Sequence, residues 1–108
     1  MKFQRVVPNH EYRKLRLLSD GGKWELGLSD YAFRTRLRMG LTGRPPGVMD
    51  FCLGGDAAFI ADVLTAVIGR LDDLDENAEA AEVHASFPWG TGRPDLMNHF
   101  DPTARTFK

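Results

Sequence analysis

Arginine alternates with apolar or β-branched residues through Phe33-Arg34-Thr35-Arg36-Leu37-Arg38-Met39. Successive side chains of a strand point to opposite faces. The run therefore predicts a strand over about Ala32 to Leu41, with three cations on one face and an apolar row on the other. Similar signals predict a strand at Phe3 to Val7, closed by the turn residues Pro8-Asn9-His10. Tyr12 to Leu18 and Lys23 to Leu28 flank Ser19-Asp20-Gly21-Gly22, a hairpin signal because Gly tolerates φ > 0. Ser29-Asp30 reads as a break. A further strand, Val48 to Leu53, follows the loop Thr42 to Gly47, since Pro45-Pro46 cannot sit in a central ladder.

The apolar rows restrict how these strands pair. Leu15 and Leu17 must share a face with Trp24, Leu26 and Leu28, so the first hairpin needs an even number of turn residues. A turn at Asp20-Gly21 pairs Leu17 with Trp24. A turn at Gly21-Gly22 pairs Leu17 with Leu26 and Leu15 with Leu28. In the last hairpin, matching the apolar rows pairs Met39 with Met49, Leu37 with Phe51 and Thr35 with Leu53. Arg38 then stands opposite Asp50 and Arg36 opposite Cys52, and an Arg38–Asp50 contact is expected.

After Gly54-Gly55 the period changes. Asp56 is a good N-cap, and Phe59, Ile60, Val63, Leu64, Val67, Ile68 and Leu71 recur at spacings of three and four, which predicts a helix to Leu71. With Ala57 and Ala61 the apolar arc covers roughly half the circumference, wider than the stripe of about 100° that a one-sided contact needs. Two explanations fit: deep burial in its own domain, or a second contact with a dimer mate. The acidic run Asp72 to Asn77 leaves the helix, and Ala78 to Val83 has the composition for one or two more turns. From His84 on, the chain is rich in Pro, Gly and aromatic residues without a period.

The fold class expected is α+β: an antiparallel four- to five-stranded β-meander with one long C-terminal helix packed on one face, followed by an extended irregular tail. Residues 1–83 would form the domain. Residues 84–108 would pack on it, or on a partner, through Phe87, Trp89, Leu96, Met97 and Phe100.

Composition sharpens this picture in three ways. The 108 residues are 43% hydrophobic and 27% charged, enough for one core. The formal net charge of −1 hides an asymmetry. Residues 1–50 hold ten Lys and Arg against five Asp and Glu, and residues 51–108 hold four against ten. The one cysteine, Cys52, excludes an intramolecular disulfide. Met1-Lys2-Phe3-Gln4-Arg5 lacks the apolar core of a signal peptide, and Ala57 to Ile68 is too short to span a bilayer. A cytoplasmic protein with no membrane partner is the expectation.

The chemistry that this pattern supports is anion recognition. Lys14, Arg16, Lys23, Arg34, Arg36 and Arg38 fall on one sheet face, with Arg44 on the following loop, and Glu25 and Asp50 as nearby carboxylates. Arginine grips phosphate in a bidentate way, so these seven residues are the candidate nucleic-acid contacts. The register puts Trp24 and Phe33 on the apolar side, leaving Tyr12, Tyr31 and Trp89 as stacking candidates. No CxxC, HxH or HExxH spacing is present, and no GxSxG, Walker A or GxGxxG motif. No metal, cofactor or catalytic residue is therefore expected. The acidic stretch Asp72 to Glu82 has the composition of a solvated face; a sharper hypothesis is that it, or the tail after it, lies near the basic sheet and competes with a polyanion.

The order strand, Gly turn, strand, strand, strand, helix resembles a PUR repeat and, more distantly, the Whirly-type single-stranded DNA-binding proteins. The pieces that carry this are Lys23-Trp24-Glu25-Leu26-Gly27-Leu28 after a Gly-rich turn and Phe51-Cys52-Leu53 leading into the helix. The resemblance implies single-stranded DNA or RNA binding on the sheet and a homodimer, for which Phe59, Val63 and Trp89 are the candidate contacts. The alternative is a protein–protein interaction module without enzymatic activity, of the inhibitor or phage-accessory type.

Overall fold

A computed structural model describes residues 1–44, 48–87, 100–101, 103 and 106–107. Five strands form one antiparallel meander: β1 (Phe3–Val6), β2 (Leu15–Ser19), β3 (Trp24–Tyr31), β4 (Arg34–Leu41) and β5 (Met49–Leu53). Each pairs with its sequence neighbours, so β1 and β5 are the edges. Two helices follow, α1 (Ala57–Leu71) and α2 (Ala80–Ala85). In the stretch expected to be irregular, β6 (Phe100–Asp101) and β7 (Thr106–Phe107) pair as a two-stranded sheet, with β7 beside α1.

The apolar rows set the registers. Between β4 and β5 the five pairs are Thr35–Leu53, Arg36–Cys52, Leu37–Phe51, Arg38–Asp50 and Met39–Met49, all as expected from the pattern. Between β2 and β3, Leu15 faces Leu28 and Leu17 faces Leu26. This is the alternative centred on Gly21-Gly22, reached through a connection of even length over Asp20 to Lys23.

The second hairpin differs from the sequence reading. Ser29-Asp30 is no break: both residues belong to β3 and pair with Arg36 and Thr35. The chain reverses instead at Ala32-Phe33, between the paired residues Tyr31 and Arg34. Both turn residues have positive φ, 41° and 56°. Two central residues at φ > 0 define the mirror-image hairpin turn, whose twist matches the flanking strands and which normally takes Asn-Gly. Here Ala and Phe adopt it.

The core lies on one face of the sheet. Trp24, Leu26, Leu37 and Met39 from the strands and Val63, Val67 and Leu71 from α1 have no exposed surface. Asp56 caps α1 by accepting from the Phe59 N–H at 2.9 Å. Gly55 precedes it at φ 105°, and a Cβ there would press on the Phe59 ring, so the turn into the helix requires glycine. Phe59, Ile60, Leu64, Ala66 and Ile68 pack around the buried row. The core thus covers Val63, Val67 and Leu71 fully and Phe59, Ile60, Leu64 and Ile68 in part, while Ala57 and Ala61 of the broad arc are exposed. Val63, a candidate dimer contact, is wholly inside this core, and Phe59 packs against its rim. Val83 of α2 and Phe87 close the core at its far side.

The acidic segment docks away from the arginine row. The Glu76 Oε1 accepts from the Ser19 hydroxyl at 2.7 Å and the Gly21 N–H at 3.0 Å. Ser19 Oγ in turn accepts the Trp24 N–H at 2.9 Å. Asp72 pairs with Lys2 at 2.5 Å, and the Met1 amino group donates to the carbonyls of Leu71, Asp72 and Leu74. Of the candidate cations, the segment reaches Lys23, whose Nζ donates to the Asn77 carbonyl at 3.3 Å, while Arg36 and Arg38 pair with Asp50 and Glu11. Through Oε1 Glu76 caps the β2–β3 connection, while its Oε2 is buried without a hydrogen-bond partner among the described residues.

Candidate nucleic-acid interface

The sheet face opposite the core carries the arginines, but it is not an open cationic surface. The connection between β1 and β2 folds back over it. Asn9 Oδ1 accepts from the backbone N–H groups of Glu11 and Tyr12 at 3.0 and 2.9 Å, forming a tight turn that lays Tyr12 onto β3. Tyr12 is 5% exposed. Its ring occupies the space over Gly27 that a Cβ would need, so the absence of a side chain at Gly27 is what admits the cover. Burial, with Glu11 and Glu25 nearby, pushes the Tyr12 phenol up to about 12.

Beneath and beside this ring the cations are internally matched. Arg16 donates through Nε and Nη2 to Glu25 Oε2 at 3.2 and 3.0 Å, and Glu25 is buried. Arg38 reaches Glu11 at 3.4 Å, with its Nε 3.7 Å from Asp50. Arg36 clamps Asp50 with two bonds, at 2.7 and 2.5 Å. The Asp50 bond pushes the Arg36 guanidinium upward from its usual range. The backbone pairing sets Arg38 opposite Asp50 as expected, yet the stronger contact is diagonal, from Arg36. A long side chain reaches the i, j±2 neighbour across a strand pair.

The remaining candidates divide between the two ends of the sheet. Lys23 lies at the far end, its Nζ 3.3 Å from the Asn77 carbonyl and over the Trp24 ring. Arg44 is exposed in the loop after β4, held by its backbone N–H to Leu41. Lys14 and Arg34 lie at the near end, beside the β3–β4 turn. Lys14 pairs with the largely exposed Asp30 at 3.1 Å, a surface pair of little strength. Arg34 is exposed, and among the described residues its side chain has no partner. The seven cations thus form no single patch.

The near end holds exposed aromatic surface, from Tyr31, a stacking candidate, and from Phe33. Phe33 was expected on the apolar face. It stands instead at the apex of the turn, fully exposed. Tyr31 is 55% exposed and carries the Arg36 guanidinium 5.5 Å from its ring centroid. Within four residues, Tyr31, Phe33 and Arg34 present two ring faces and an unmatched guanidinium. A sequence signal for this existed. Matching Trp24, Leu26 and Leu28 to Leu41, Met39 and Leu37 centres the reversal on Ala32-Phe33. Trp89, the third aromatic candidate and a proposed partner contact, lies outside the described residues.

Beside the tip, a cleft of about 390 Å³ opens between the turn and the start of α1. Among the described residues no three His, Cys, Asp or Glu side chains gather to hold a metal, and no helix is long and apolar enough to cross a membrane. Cys52 is exposed on β5. The chain matches no protein-family model, and no curated protein or solved structure matches it.

Proposed function

We propose that this protein binds single-stranded nucleic acid through the β3–β4 hairpin tip. The observation that carries the reading is the exposure of Phe33 and Tyr31 beside Arg34, which has no side-chain partner among the described residues, on a turn whose two residues are both held at positive φ. A left-handed conformation at non-Gly residues costs about 1–2 kcal/mol each, and a solvent-exposed Phe adds nothing to the fold. Stacking of unpaired bases on aromatic side chains gives the tip a use, and the guanidinium supplies a phosphate contact. Duplexes hide their base faces, so single strands are the preferred form. The resemblance to PUR repeats points to the same ligand class, though to the sheet face, where Tyr12 now lies.

This reading moves the binding site. Arg16, Arg36 and Arg38 serve the fold by neutralising Glu25, Asp50 and Glu11, and Arg34 with Lys14 is left for phosphate. Fluorescence anisotropy of a labelled single strand, titrated at several salt concentrations, tests it. Binding should weaken with salt by a slope near −0.7 for each phosphate neutralised, and Arg34→Ala should flatten that slope.

A protein–protein module remains the second reading, because an exposed Phe at a hairpin apex also suits an apolar pocket on a partner. Such binding would depend on Phe33 and vary little with salt.

A further inference from the structure

We infer that the cleft beside the hairpin tip holds one nucleotide of the bound strand, an inference that rests on the single-strand reading above. The cleft lies between the β3–β4 turn and the first turn of α1. Phe33, Arg34, Lys14, Asp30 and Ile60 are among the residues that line it. At about 390 Å³ it sits at the small end of ligand-pocket sizes, which run from roughly 300 to 1,000 Å³. That suits one nucleotide and excludes a duplex.

The lining divides as a nucleotide does. The exposed Phe33 ring, with the half-buried Ile60 beside it, gives a base an apolar surface on which to stack. Arg34 and Lys14 are the cations within reach of its phosphate, and Arg34 has no competing carboxylate among the described residues. Asp30, paired with Lys14 at 3.1 Å, also offers a carboxylate acceptor to an exocyclic amine or a ribose hydroxyl. The strand would then run from Tyr31, over the tip, into the cleft.

The test uses the full chain, isotope-labelled and followed by backbone amide resonances. It is titrated with adenosine monophosphate, adenosine, inorganic phosphate and a short single strand. The nucleotide and the single strand should move the amides of Gly54, Gly55 and Ile60. Adenosine or phosphate alone should bind at least roughly tenfold more weakly than the nucleotide, since each keeps half of the contacts. Ala57→Trp, at an exposed position on the cleft rim, should plug the cleft, abolish those shifts and weaken the single strand by roughly tenfold. Inorganic phosphate binding as tightly as the nucleotide would overturn the inference. So would a single strand that binds with full dependence on Arg34 but leaves the cleft amides unmoved in the wild-type chain. In that case the reading of the tip stands and the cleft falls. No single-strand binding at all would remove both.

Discussion

The Tyr12 ring rests on Gly27, in the space that a Cβ on Gly27 would need. This contact decides what the arginine face can do, because it lays the β1–β2 connection over the middle of the sheet. Gly27→Ala should force the ring aside and lower stability by about 1–3 kcal/mol, the usual range for overpacking. In a Tyr12→Ala background the same substitution should cost much less. Urea unfolding of the two single variants and the double variant gives the coupling directly.

Tyr12 also makes stability depend on alkaline pH. Its phenol is held up at about 12 in the folded chain, against 10.0 for a free tyrosine. The folded state therefore keeps a proton that the unfolded state releases. The resulting stabilisation is fully present below pH 10 and is lost as pH rises from there to about 12. Unfolding midpoints measured across this window should fall in the wild-type chain. In Tyr12→Phe the decline should be shallower.

Arginines of the same row should separate cleanly on substitution. Arg16→Ala strands the buried Glu25 carboxylate and should cost about 3–5 kcal/mol, as removing one partner of a buried pair does. Arg34→Ala touches an exposed, unpaired side chain and should change stability by no more than about 0.5 kcal/mol. Chemical denaturation of the two variants checks the contrast, and equal losses would mean that the row is not divided as described.

Glu76 ties the acidic segment to the β2–β3 connection. Glu76→Ala leaves the Ser19 hydroxyl and the Gly21 N–H without their acceptor and should cost about 1–3 kcal/mol. Amide hydrogen exchange at Gly21 and Trp24 should accelerate more than at Leu37, which lies in the core of β4.

The hairpin tip should trade stability for binding. Replacing Ala32-Phe33 by Asn-Gly puts the preferred residues into a turn with two positive φ values. The double variant should be more stable by about 1–2 kcal/mol and should lose single-strand affinity. Thermal unfolding and anisotropy on the same preparation read both effects.

Much of the architecture is legible in the alternation of residues, because a one-residue slip would turn every apolar side chain of a strand outward. The register of β4 on β5 followed from Leu37, Met39, Met49, Phe51 and Leu53 alone. Asp56 announced α1 through its capping chemistry. The tip was not legible from turn residues, since Ala32-Phe33 carries none of the Gly, Asn or Asp that mark φ > 0. Ser29-Asp30 misled for the opposite reason: turn-like residues sit inside a strand whose pairing with Thr35 and Arg36 overrides their preference. The site was harder still. Alternation places Arg16, Arg36 and Arg38 on one face correctly, but it says nothing about a loop returning over that face. Tyr12 covers that face, and Glu25, Asp50 and Glu11 convert three apparent phosphate ligands into internal ion pairs. Arg34 alone of Arg34, Arg36 and Arg38 has no side-chain partner among the described residues.

The most direct test of the account is single-strand binding by wild type, Phe33→Ala and Arg34→Ala, measured by anisotropy at low and moderate salt with folding verified for each. The account predicts salt-sensitive binding by wild type. It predicts a loss of about 1–3 kcal/mol in Phe33→Ala and a flatter salt slope in Arg34→Ala. Binding that ignores both substitutions, or no binding at low salt, would contradict it.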